Sequence, residues 1–273
     1  MEATAVRARV SETMGSALAS PALRWPRAAY EQALSSALCS VRRLAVDPTG
    51  TESARHRLDQ LLSLPAAERL AALTRKAPDL ALFEALRRRV ALTDVTSELA
   101  VELARLAEQV SARLDAALYG AAFVLDRRCE SSLALVRSCR GRGEIGQAER
   151  ALTSAEAFAS QGTGAQLAPC LAERARLTAL AGDGARAAEL WRAAARLHAE
   201  AQEPQEQALA LGELAGALWR GRRRRGAVLQ LLAAIAALGR AGRLRQLPQL
   251  LALVRAPTGP PIPRPSSVRE EGC

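Results

Sequence analysis

The chain has 273 residues, of which 49% are hydrophobic but only 3% aromatic, and a formal net charge of +10. Apolar material is ample for one large domain or two, but packing must rely on Leu, Ala and Val, because the aromatic and β-branched residues that fill strands are scarce. The composition predicts an all-α fold and argues against a sheet-based scaffold. The longest apolar run, 226–239, contains Gln230 and falls short of the ~20 residues a membrane span needs.

Residues 1–20 read as a weak helix or a disordered arm. Arg7, Arg9, Ser11 and Ser16 give this segment a faint presequence character, but Glu2 and Glu12 oppose it, and no secretory signal core is visible. Residues 21–128 form an N-terminal helical region. Trp25-Pro26 opens a helix to about Val46, with Ala29, Ala33, Leu34, Leu38, Val41 and Leu44 on its inner face. Asp47-Pro48-Thr49-Gly50 is a turn, followed by a short helix over 51–62 that carries His56. Pro65 starts the next helix, through Leu70 and Leu73, and Pro78 another, with Leu80, Phe83, Leu86 and Val90 inward. The longest helix is predicted over 94–128, where Val95, Leu99, Leu103, Leu106, Val110, Leu114 and Leu118 recur every three or four residues. Such a stripe is either a core helix or a seam for self-association, and Gly120 favours a kink or an end.

The region 129–255 carries an internal repeat. Over 171–202 two helical segments meet at Gly182-Asp183-Gly184, where Gly182 can leave helical geometry and Asp183 can cap the following helix. Ala187, Trp191 and Ala194 share one helical face, and Ala175 is small enough to sit against it. At an offset of 39 the same grammar returns: Gly143, Gly182 and Gly221 at the turn, Ala148, Ala187 and Gly226, then Ala155, Ala194 and Ala233. Leu152 and Trp191 correspond as bulky residues, whereas Gln230 does not. Self-similarity at this period marks a helical solenoid. The pattern resembles the tetratricopeptide repeat (TPR) family over roughly 129–240, in a degenerate form whose period exceeds the family's usual ~34 residues. The resemblance implies stacked hairpins with a concave groove lined by the first helix of each pair. On that register Arg137, Arg140, Arg176 and Trp219 are the groove candidates. A capping helix is expected over 244–254, broken by Pro248, and the Pro-rich segment 256–273 is expected to be disordered.

Almost every cation is arginine; Lys76 is the only lysine. Arginine grips carboxylate or phosphate with a two-pronged fork, although Arg, Ala and Gly enrichment is also what a GC-rich gene produces. The sharpest charge feature is Arg220, Arg222, Arg223, Arg224 and Arg225 beside Trp219, read either as a solvated turn or as a phosphate contact. The five cysteines (Cys39, Cys129, Cys139, Cys170, Cys273) are odd in number and lack CxxC spacing, which reads as reduced thiols and an intracellular chain, cytoplasmic or nuclear.

Motifs for chemistry are weak. Gly141, Gly143 and Gly146 match GxGxxG, but no strand feeds into them. The two histidines, His56 and His198, stand far apart, and no HExxH or GxSxG occurs. The expectation is therefore a non-enzymatic adaptor or scaffold, with no cofactor and no metal, that binds acidic or amphipathic protein segments and forms part of a complex. The alternative is a nucleic-acid-associated protein using the 220–225 cluster.

Overall fold

The computed structural model describes residues 48–75 and 80–255. The expected arm at 1–20, the helix at 26–46, the start at Pro78 and the Pro-rich tail lie outside the described residues. The chain divides at Pro48/Thr49, and the packing below belongs to the unit Thr49–Cys273.

Among the described residues the fold is all-helical, with no strand. In order the elements are α1 (Pro48–Ser63), α2 (Ala66–Arg75), α3 (Leu80–Leu92), α4 (Glu98–Ser111), α5 (Ala116–Tyr119), α6 (Ala121–Gly141), α7 (Ile145–Gln161), α8 (Leu167–Leu180), α9 (Gly184–Glu200), α10 (Pro204–Arg220), α11 (Arg224–Arg240), a 3₁₀ turn (Leu244–Gln246) and α12 (Leu247–Arg255). Each helix from α6 to α11 packs on the next, and α6 also touches α8, a pattern consistent with a solenoid-like stack of hairpins. No described helix is long and apolar enough to cross a membrane.

The expected long helix at 94–128 is three helices. Asp94 accepts from the Thr96 N–H at 3.0 Å and makes a turn, and Ser97 caps α4 by accepting from the Ala100 N–H at 3.1 Å. Asp115 then caps α5 by accepting from the Ala117 N–H at 2.8 Å. Gly120, at φ +89°, re-aims the chain into α6. Short polar residues that can bond their own backbone, plus one left-handed glycine, outcompete helix continuation. The apolar stripe is divided accordingly. Leu103, Leu106, Val110 and Leu114 are buried, while Val95, Leu99 and Leu118 are exposed, so no continuous seam remains for self-association. The first repeat helix also reaches back past Cys129 to Ala121.

The same helix-ending turn recurs, but its third copy is displaced by one residue from the expected register. Left-handed residues close helices at Gly143, Gly182, Gln202, Arg222 and Gly242. At each, the N–H bonds back to the carbonyl three residues earlier, and the next N–H to the carbonyl five earlier, as in Gly182 to Ala179 and Asp183 to Thr178. This double bond satisfies the last carbonyls of the helix. The turn equivalent to Gly182 is therefore Arg222 at φ +59°, not Gly221. Counting from Arg222 aligns Ala148, Ala187 and Ala227, then Ala155, Ala194 and Ala234, all buried. Leu231, packed against the core, replaces Gln230 as the partner of Leu152 and Trp191. From α9 to α11 every helix has 17 residues and every turn three.

Two apolar clusters fill the stack. One joins α4 to α8 through Val101, Leu133, Val136, Leu152 and Leu177; the other joins α8 to α12 through Ala175, Trp191, Leu214, Ala234 and Leu250. Trp191 is the largest fully buried side chain, and burying one that size contributes about 2–3 kcal/mol. The last helix differs from expectation in one respect: Pro248 sits in the first turn of α12, where no N–H is needed, and starts the helix rather than breaking it. Pro48 similarly opens α1, ahead of the helix expected from 51. α12 lies against α10, with Gly212 and Gly216 permitting the approach: a Cβ on Gly216 would come within 2.7 Å of the Leu253 carbonyl oxygen.

Candidate functional site

The first helices of the three hairpins, α6, α8 and α10, carry a ladder of charges. Arg137 and Arg140 lie one turn apart on α6, Glu173 and Arg176 one turn apart on α8, and Glu213 and Arg220 two turns apart on α10. Spacings of three and seven residues put each set on one helix face. On the corrected register Glu173 and Glu213 are equivalent positions, as are Arg140 and Trp219.

Glu173 is the centre of the ladder. It is wholly buried, and three guanidinium groups converge on it. Arg137 Nε donates to Oε1 at 2.8 Å, Arg176 Nη1 to the same oxygen at 2.7 Å, and Arg140 Nε lies 3.4 Å from Oε2. Arg176 Nε also donates to Glu213 Oε1 at 3.1 Å, which carries the ladder from α8 to α10. Burial alone would push the Glu173 carboxyl up in pKa; Arg176, Arg137 and Arg140 overcome that penalty and hold it below the usual range. Burial pulls Arg140 down against the opposing pull of Glu173. Arg176 is raised despite burial, because Glu173 and Glu213 both favour its charged form.

The ladder has more cations than anions. Arg137 keeps 48% of its side chain exposed, so its guanidinium has donors facing solvent. Arg140 and Arg176 are mostly covered and act first as struts between helices. The structure thus brings Arg137, Arg140 and Arg176 together on Glu173. Trp219 is separate: it is 47% exposed, and its ring meets the Arg224 guanidinium 5.8 Å from the centroid. Sequence reasoning missed Glu173 and Glu213. The signal was available in the recurrence of glutamate at equivalent places, but only with the one-residue correction at Arg222.

No family model, curated protein or solved structure matches this chain.

The basic cluster surrounds the turn between α10 and α11. Arg220 ends α10, where burial lowers its pKa against the pull of Glu213. Arg222 occupies the left-handed position, Arg223 stands at the N-cap of α11 without a side-chain cap bond, and Arg224 and Arg225 begin α11. Arg222 to Arg225 are all exposed. Arg223, Arg224 and Arg225 at the N-terminus of α11 oppose that helix's dipole, whereas Arg220 and Arg222 sit favourably at the C-terminal end of α10.

The remaining sequence candidates have structural surroundings. Gly141, Gly143 and Gly146 span the α6–α7 turn, between two helices and with no strand before them. A Cβ on Gly141 would come within 2.8 Å of the Val95 carbonyl oxygen. His198 Nδ1 pairs with Glu203 Oε2 at 2.8 Å beside the α9–α10 turn, and His56 is exposed near Gln60. Cys129, Cys139 and Cys170 are buried free thiols. Cys129 and Cys170 lie 3.6 Å apart across α6 and α8, and their contact together with burial pushes the Cys129 thiol far up in pKa.

Proposed function

We propose that this chain is a non-enzymatic adaptor, a subunit of a multiprotein complex, built on TPR-like hairpins. The face formed by α6, α8 and α10 receives acidic segments of partner proteins. The observation that carries this reading is the convergence of Arg137, Arg140 and Arg176 on the buried Glu173. A carboxylate arriving at Arg137 meets a guanidinium already fixed by Glu173, so little side-chain entropy is lost on binding. Trp219 offers an exposed apolar surface near the end of α10. The nucleic-acid reading is favoured by a different observation, the four exposed arginines Arg222 to Arg225.

One titration separates the two. A fluorescent Glu-rich peptide and a short DNA duplex are each titrated with the full chain by anisotropy at several salt concentrations. The adaptor reading expects peptide binding that falls about tenfold in the paired variant Arg137→Ala and Arg140→Ala, and changes little when Arg222 and Arg223 are replaced by Ala. Preferential duplex binding with a steep salt dependence, lost with Arg222 and Arg223 and indifferent to Arg137, would sink it.

A further inference from the structure

The outer face of α11 differs from those of the second helices before it. On α7 the exposed positions include Glu149, Arg150, Thr153 and Ser154, and on α9 Arg186, Glu189, Arg192 and Arg196. On α11 they are Val228, Leu229 and Leu232, exposed by 46%, 63% and 58%, with Ala233 and Ala236 beside them. Arg225, Leu229, Leu232, Ala236 and Arg240 follow at helical spacing along one line. The apolar stripe therefore has an arginine at each end, about 22 Å apart at 1.5 Å per residue. Arg240 Nη2 donates to Gln207 Oε1 at 3.0 Å, which anchors that end. Arg222, Arg223, Arg243 and Arg245 extend the positive charge beyond both ends, and no Asp or Glu occurs between Glu213 and Glu270.

We propose that this face docks an amphipathic helix of a partner protein: about four turns long, apolar along one side, with acidic residues at both ends. Charge decides the occupant. In a pair of α11 faces from two copies, parallel or antiparallel, arginine would meet arginine at both ends, with no Asp or Glu on α11 itself to compensate. A helix with acidic ends pairs with both arginines while covering Leu229 and Leu232. The site lies on a second helix, away from the charge ladder of α6, α8 and α10, and does not depend on the reading given to that ladder.

The probe is a fluorescent synthetic peptide of about 18 residues, with Leu at helical spacing and paired Glu at each end, titrated with the full chain. A control peptide carries Lys in place of the Glu residues. The expected result is binding of the Glu-ended peptide at least about tenfold tighter than of the control. The paired variant Leu229→Gln and Leu232→Gln should abolish that binding with an unchanged circular dichroism spectrum, because both side chains are already solvent-facing. Arg225→Ala with Arg240→Ala should weaken binding and flatten its salt dependence, whereas Arg137→Ala should leave it unchanged. Equal binding of the two peptides, or indifference to Leu229 and Leu232, would overturn the proposal. So would sedimentation of the chain as a dimer that the leucine variant dissociates, or leucine-dependent binding to phosphatidylserine vesicles without binding of the peptide.

Discussion

Arg222 holds a backbone conformation that side chains other than glycine rarely adopt. Its φ of +59° is the price of closing α10 with the same pair of backward hydrogen bonds that Gly182 closes α8 with. A left-handed residue bearing a Cβ costs about 1–2 kcal/mol, part of which glycine gives back through its freer unfolded chain. Arg222→Gly should therefore raise stability by about 0.5–1 kcal/mol, seen as a melting temperature about 2–3 °C higher in thermal denaturation. This residue also explains a misreading. Glycine is the usual signal for a helix-ending turn, and Gly221 lies beside Arg222, so alignment on glycine puts the third hairpin one residue out of register. That slip moves the buried positions from Ala227 and Ala234 to Gly226 and Ala233 and leaves Gln230 facing a core that Leu231 fills.

At the scale of elements, α12 is held by the absence of side chains on α10. A Cβ on Gly212 would meet only the tips of Leu250 and Leu253, which can turn aside, but one on Gly216 would strike the Leu253 backbone. Gly216→Ala should accordingly cost about 1–3 kcal/mol of local stability, less the ~1 kcal/mol that alanine adds to helix propensity. The expected signature is faster amide exchange in 247–255 with protection in α6 to α9 unchanged; intact protection in α12 would mean that it is not seated through Gly216. Helix existence was legible in the sequence because Ala148, Leu152, Ala155, Ala187, Trp191 and Ala194 sit at helical spacing and all prove buried. The break between α4 and α6 was less legible. An apolar stripe continues through it, and only the capping oxygens of Ser97 and Asp115 and the turn at Gly120 show that burial on one face does not require one unbroken helix.

At the scale of the whole molecule, the ladder from Arg137 to Glu213 ties three successive hairpins together through one wholly buried carboxylate. Its partners were not legible in advance, because Glu173 meets Arg137 across helices, and single-helix spacing reveals only the Arg176 contact. Glu173 is held below the usual carboxylate range in the folded chain, so the stability it contributes is complete above its ordinary pKa of 4.5 and is lost as pH falls below that value through the folded pKa. Glu173→Gln leaves three guanidinium groups around a neutral amide, and should lower stability by about 3 kcal/mol at neutral pH. Measured by denaturant midpoints, the variant should also show a shallower loss of stability below pH 4.5 than the parent; equal slopes would remove the ladder from the acid response. The equal helices of α9, α10 and α11 have a further consequence. A chain that returns to the same turn every 20 residues carries no counter of its own length. Another hairpin could be added to such a stack without altering any cap already made, so the register that builds it cannot tell it where to stop. In this chain α12 is seated through Gly212 and Gly216 against α10, on a surface that the first helix of a further unit would have to use.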